Sequence, residues 1–302
     1  MRGARLSRRG VLASGAVAAL AGPAIGQTKS PTAADILGRM RTHIGTDWSE
    51  GGVDRFIAGT ADMPVRGVAT TMMATFDALK AAVAQGLNLI ITHEPTYWSH
   101  QDRQDQLLDD PLYKRKLAYI QAHSLIIYHF HDHWHARKPV DGINEGMARK
   151  MGWTGYRDAA NSRHYNIPAT TLNGLMRSFQ SRLKDRTLRA IGDPTLPIGK
   201  VVTSWGNCGN FPGITFLDSD ADVLVIGEAQ DWDLVAYAQD LASAGRKKGL
   251  IVLGHVLSEQ WGMDFCADWL KTFVKEVPVR FLPLIEPYWN PAQPIFEINT
   301  RI

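Results

Sequence analysis

Three apolar stretches of this chain run into histidine: Leu87–Thr92 into His93, Ser124–Tyr128 into His129, and Leu250–Leu253 through Gly254 into His255. Neutral imidazole is the commonest protein ligand for zinc-like ions, and carboxylates complete such coordination shells. Acids stand close by, Glu94 beside the first histidine and Glu259 four residues past the last. The middle stretch is the densest: of ten histidines in the chain, four fall at alternate positions from His129 to His135. Extended, they would all point to one face, with Phe130, Asp132 and Trp134 on the other. Four buried imidazoles without a common ligand would need many hydrogen-bond partners, which favours metal binding over a fortuitous core cluster. His129, nearest the apolar run, reads instead as strand packing.

These residues meet only if the elements that carry them do. Helical stretches at Asp77–Gln85, Leu112–His123 and Leu234–Ala244 precede the three strands. Helix-then-strand alternation argues for an α/β fold with parallel strands, and such sheets bind ligands beyond the carboxyl ends of their strands. His255 and Glu259, four apart on the helix expected next, share one face with Cβ atoms about 5–6 Å apart. Pro95 biases Glu94 away from helix, so His93 and Glu94 serve one site only if the chain turns there. Further on, Asp141-Gly142-Ile143-Asn144 opens a helix to about Met151, residues 158–170 read as a polar loop, and Leu172–Leu183 is helical. Strands at Lys200–Ser204 and Val223–Ile226 run into Gly206–Gly209 and Gly227-Glu228. The first of these turns could approach an anion but reads more simply as a tight turn. Asp132, His133 and Glu228 are candidates for an extra ligand or for proton transfer. Tyr97, Trp98, Trp134 and Trp261 lie near these motifs, as pocket walls or as ordinary core.

The 302 residues, 45% of them hydrophobic, allow one large domain or two modest ones. Residues 1–26 hold four arginines and no acid, so removing them turns the formal charge from +3 to −1. No basic stripe remains to suggest a nucleic-acid partner. Ser7-Arg8-Arg9-Gly10-Val11-Leu12 is a twin-arginine pattern, followed by a small-residue apolar stretch and a cleavage site near Ala24-Ile25-Gly26. The reading is a signal peptide at 1–26, a linker at 27–33 and a domain at 34–302. The mature protein is expected outside the cytoplasm, periplasmic or secreted, with no membrane attachment after cleavage. In that oxidising setting Cys208 and Cys266 could pair, although sequence cannot place them within bonding distance.

Taken in order, these motifs resemble the Nif3 family, also called DUF34 or YbgI-like dinuclear metal-centre proteins, over most of residues 35–300. Leu89-Ile90-Ile91-Thr92-His93-Glu94-Pro95 resembles the family's strand ending in His-His-Pro. His131 to Asn144 resembles its His-x-x-x-Asp stretch followed by Gly-Val-Asn-Asp. Val201–Gly209 resembles its glycine-rich strand end, and Ile226-Gly227-Glu228 its Thr-Gly-Glu. Gly254-His255-Val256-Leu257-Ser258-Glu259 matches Gly-His-x-x-Ser-Glu almost letter for letter. The resemblance implies two α/β lobes, roughly 34–160 and 170–302, with a metal site in the cleft between them, often within a hexameric ring. It implies two divalent ions, of zinc, manganese or iron type, with His93, His131, His255 and Glu259 as ligands. Glu94 stands where the family has its second histidine and His135 where it has an aspartate; Asp132, His133 or Asp141 could take that role instead. A dinuclear hydrolase of a small polar substrate follows as one expectation. A non-catalytic metal-binding ring or interaction scaffold is the other.

Overall fold

The structure is a computed structural model that describes residues 30–288 together with positions 1 and 291. The twin-arginine segment lies outside the described residues. In chain order the elements are α1 (Ala33–His43), β1 (Arg55–Ala58), β2 (Val68–Thr71), α2 (Phe76–Ala84), β3 (Leu89–Thr92), α3 (Pro111–Ala122), β4 (Ile126–His129), α4 (Asp132–Ala136) and α5 (Gly142–Met151). There follow β5 (His164–Thr171), α6 (Leu172–Leu183), β6 (Arg189–Ile191), β7 (Pro197–Asn207), α7 (Asn210–Asp218), β8 (Val223–Glu228), α8 (Ala236–Ser243), β9 (Gly249–Val252), α9 (His255–Lys271) and β10 (Val279–Phe281).

Local signals set many of these boundaries. Thr32 and Asp35 close a reciprocal capping box at the start of α1. Asp110 caps α3, with Pro111 at the first helical position. Asp141 accepts from the Ile143 and Asn144 amides to start α5, which Gly152 ends in the left-handed conformation.

The strands form two five-stranded sheets, ordered β1-β4-β3-β2-β10 and β5-β7-β8-β9-β6. The inner strands of each are parallel, and the antiparallel partners β1, β5 and β6 lie at the edges. Strand alternation assigns the faces. Leu89, Ile91, Ile126 and Tyr128 of the first sheet share one core with Val201, Val223, Val225 and Ile251 of the second, and α1, α5, α6 and α9 fill the space between. Ile90 and Ile127 face the opposite way, under α2 and α3. Leu224, Ile226, Leu250 and Val252 face α7 and α8. The result is five layers, helix–sheet–helix–sheet–helix, with a shared middle layer.

Three local readings change. Residues 158–170 are not all loop, because β5 occupies 164–171 as a largely exposed edge strand that buries only Tyr165 and is interrupted by Pro168. The histidine run is not extended; after Phe130 the chain turns into α4. Val279–Phe281, grouped by sequence with the second lobe, returns to pair with β2 in the first sheet. Cys208 and Cys266 are both buried free thiols, one under the outer face of the second sheet and one in the shared middle layer. Among the described residues no helix is long and apolar enough to cross a membrane.

Candidate metal centre

The site assembles where the carboxyl ends of both sheets face each other. β3 delivers His93 and Glu94, whose amides are still held by Thr71 and Met72 carbonyls at 3.2 and 2.7 Å. β4 delivers α4, and α4 places His131 and His135 one turn apart on one face. β9 delivers α9, whose first residue is His255 and whose second turn carries Glu259.

The side chains converge. The His93 ring stacks on His131 with centroids 4.6 Å apart, and His135 sits 4.9 Å from His93 and 4.7 Å from His131. Glu259 Oε2 lies 3.5 Å from His93 Nε2 and 3.1 Å from His255 Nε2. Glu94 Oε1 lies 3.2 Å from His255 Nε2 and 3.9 Å from His131 Nε2. Two overlapping groups, His93–His131–His135 and His93–Glu94–Glu259, each bring their ligand atoms within 4.8 Å of one another. A third, Glu94–His100–His131, adds His100, which sequence reasoning missed. It lies in the turn after His93, and its only signal was nearness to that residue.

Each imidazole uses Nδ1 on an oxygen and turns Nε2 inward. Nδ1 meets the Phe130 carbonyl in His93, Asp132 in His131, Asp141 in His135 and Glu228 in His255, at 3.4, 2.9, 2.8 and 3.0 Å. Partners of this kind fix the ring and its tautomer at metal sites. Asp132, Asp141 and Glu228 therefore hold ligand candidates in place. Asp132 is also anchored, accepting the Val53 amide at 3.0 Å. His133 faces away: the Ser49 amide donates to its Nε2, its Nδ1 donates to Asp54, and its ring stacks on Trp48 at 3.8 Å. His129 is buried strand packing, its Nε2 2.9 Å from the His93 carbonyl.

Asp54 was also invisible in the sequence. Its carboxylate accepts the amides of His131, Asp132 and His133, capping a short helix that lacks a side-chain cap of its own. Gly206 serves the other side of the site. Its φ is +69°, and an added Cβ would fall 2.3 Å from Glu259 Oε1. Its amide donates to Ser258 Oγ at 2.9 Å, and a Cβ on Gly227 would strike both the Gly206 carbonyl and Ser258 Oγ at 2.4 Å. The glycine-rich strand ends thus make room for Glu259. Tyr97 and Trp134 are core residues.

The electrostatics suit a cation. Burial, then the neighbouring His135 and His131, push His93 well below its ordinary pKa, leaving a neutral imidazole. Burial likewise lowers His131. Burial opposes charge on His255, but hydrogen bonds that its ring donates to Glu259 and Glu94 outweigh it and push it up to about 11. The field that keeps a proton there favours positive charge between the two carboxylates. His93 Nε2 is buried without a hydrogen-bond partner, an arrangement that buried nitrogen rarely tolerates and that a metal ion would satisfy.

Fold and site define an α/β protein with two facing parallel-stranded sheets and a histidine–carboxylate cluster that could bind metal. The chain belongs to the Duf34/NIF3 (NGG1p interacting factor 3) family, whose model matches residues 36–287. Solved structures show the same fold. The Staphylococcus aureus hypothetical protein SA1388 superposes with TM-score 0.69 at 16% identity, covering 86% of this chain and 99% of its own. Protein ybgI, of unknown function, gives 0.68 at 16%, covering 85% and 100%. A Bacillus cereus protein related to NIF3 gives 0.67 at 14%, covering 87% and 100%. No curated protein matches the chain.

Proposed function

We propose that this cluster holds two divalent ions and that the protein is a metal-dependent hydrolase of a small polar substrate. The observation that carries the reading is His93 Nε2: buried, without a hydrogen-bond partner, and surrounded by ligand atoms from both sheets. His93, His131 and His135 would hold one ion. Glu94, His255 and Glu259 would hold the other. The donors are nitrogen and oxygen with no thiolate, which suits zinc, manganese or iron. When bound, paired divalent ions polarise a substrate oxygen. Glu228, half-exposed beside His255 Nδ1, would pass a proton between that ring and solvent.

The test is metal content per purified chain, followed by turnover of phosphoester, nucleotide and cyclic-amide panels with added manganese or zinc. Turnover lost in His255→Ala supports the hydrolase. Bound metal with no turnover supports the non-catalytic ring or scaffold instead, and absence of metal sinks both. Two further proposals rest on the sequence: export by the twin-arginine route, and a homo-oligomer, a hexamer by family resemblance. Changing Arg8 and Arg9 together to lysine should leave the precursor in the cytoplasm, and light scattering should return six chains per particle.

A further inference from the structure

Beside His135 the structure has a cavity of about 30 Å³ lined by Asp141, Asn144, Arg163, Thr203 and Trp205. That is room for about two waters, or the head of a small acid group. Its walls are almost fully engaged. Asp141 binds His135 with one oxygen and two amides with the other. Asn144 Oδ1 accepts from Tyr165 and Trp205, while its amide nitrogen donates to the Ser162 carbonyl. The exception is Arg163. Arg163 is an exposed residue at the cavity mouth, and its guanidinium makes one long contact, Nη1 to Ser204 Oγ at 3.4 Å, with no ion pair among the described residues. Its backbone is nonetheless fixed, with the carbonyl held by the Thr203 amide and hydroxyl at 2.9 and 3.2 Å.

We propose that the substrate carries an anionic group, a carboxylate or a phosphate, which Arg163 receives in this cavity. The proposal rests on the metal reading above. Arg163 and a divalent ion behind His135 would both attract an anion, against the Asp141 carboxylate on the same wall, whose oxygens are already committed to His135 and two backbone amides. Arginine's planar fork of donors matches carboxylate and phosphate oxygens two at a time. His135 ties the two sites together, because one imidazole both faces His93 and walls the cavity.

The test is calorimetric titration of inorganic phosphate and, separately, acetate into wild type, Arg163→Gln and Arg163→Lys, each with and without Mn(II). Wild type should bind one of these anions at least tenfold more tightly than Arg163→Gln, with Arg163→Lys between them. The preferred anion names the group. Equal affinity in wild type and Arg163→Gln, or binding of neither anion by wild type, overturns the proposal. Manganese per chain, measured on the same samples, judges the metal reading independently, and the metal-free titrations keep the arginine's contribution readable whatever that count gives.

Discussion

His133 and His135 are two positions apart and face in opposite directions. One helical turn places His135 with His131 and swings His133 toward Asp54 and Trp48. His135→Ala should therefore lower metal per chain and metal affinity, as read by chelator competition. His133→Ala should leave metal content near wild type yet lower stability in urea by about 1–3 kcal/mol, because Asp54 loses a buried partner. Asp54→Ala should do both, since it frees three amides at the start of α4. Away from the site, Asp185 carries a pH dependence. Burial, and secondarily the nearby Glu286 charge, raise its pKa to about 6, and its Oδ2 is buried without a partner. A carboxyl raised above its ordinary value is better accommodated protonated, so its contribution falls as pH rises through about 6. Asp185→Asn keeps the acceptor for the Thr187 amide. It should be more stable than wild type at pH 8, with the advantage shrinking toward pH 5 in urea titrations.

At the scale of elements, the carboxyl ends of β7 and β8 and the start of α9 form one packed unit around Glu259. Gly206→Ala should displace that carboxylate and weaken metal binding tenfold or more, while the protein remains folded by circular dichroism. Binding at this unit should also release a proton. His255 keeps its proton to about pH 11 in the metal-free protein, so apparent affinity should rise about tenfold per pH unit for each proton displaced. Calorimetry in buffers of different ionisation enthalpy counts them. The α9 end of the site was legible because Gly254–Glu259 is a local signal, a strand end followed by one helix face. The α4 end was not. Alternate histidines imitate a strand, and the cap that makes them helical comes from Asp54, some 77 residues earlier in the chain. β5 hid for a different reason: its apolar period is only Tyr165, Ile167 and Ala169, with Pro168 set inside it and most side chains in water.

At the scale of the whole molecule, the shared middle layer joins the two sheets, and the histidine–carboxylate cluster is the other place where both meet. Metal bound there should stabilise both sheets together. Chelation should lower the unfolding midpoint in one cooperative transition, with a loss of about 2.7 kcal/mol of stability if free metal stood a hundredfold above its dissociation constant. Two separate transitions would mean that the sheets melt independently. The alternation of helix and strand, the parallel sheets and the convergence of three strand ends on histidine were all readable in advance. The crossing of the C-terminal segment back to the first sheet was not, because β10 is three residues long and pairs with a strand about 210 positions earlier. That crossing sets a timetable for folding. β2 leaves the ribosome well before its neighbour on that side, which follows about 210 residues later. The first sheet stays one strand short until residues 279–281 have been made, and stalled nascent chains ending before Val279 should remain open to protease along β2.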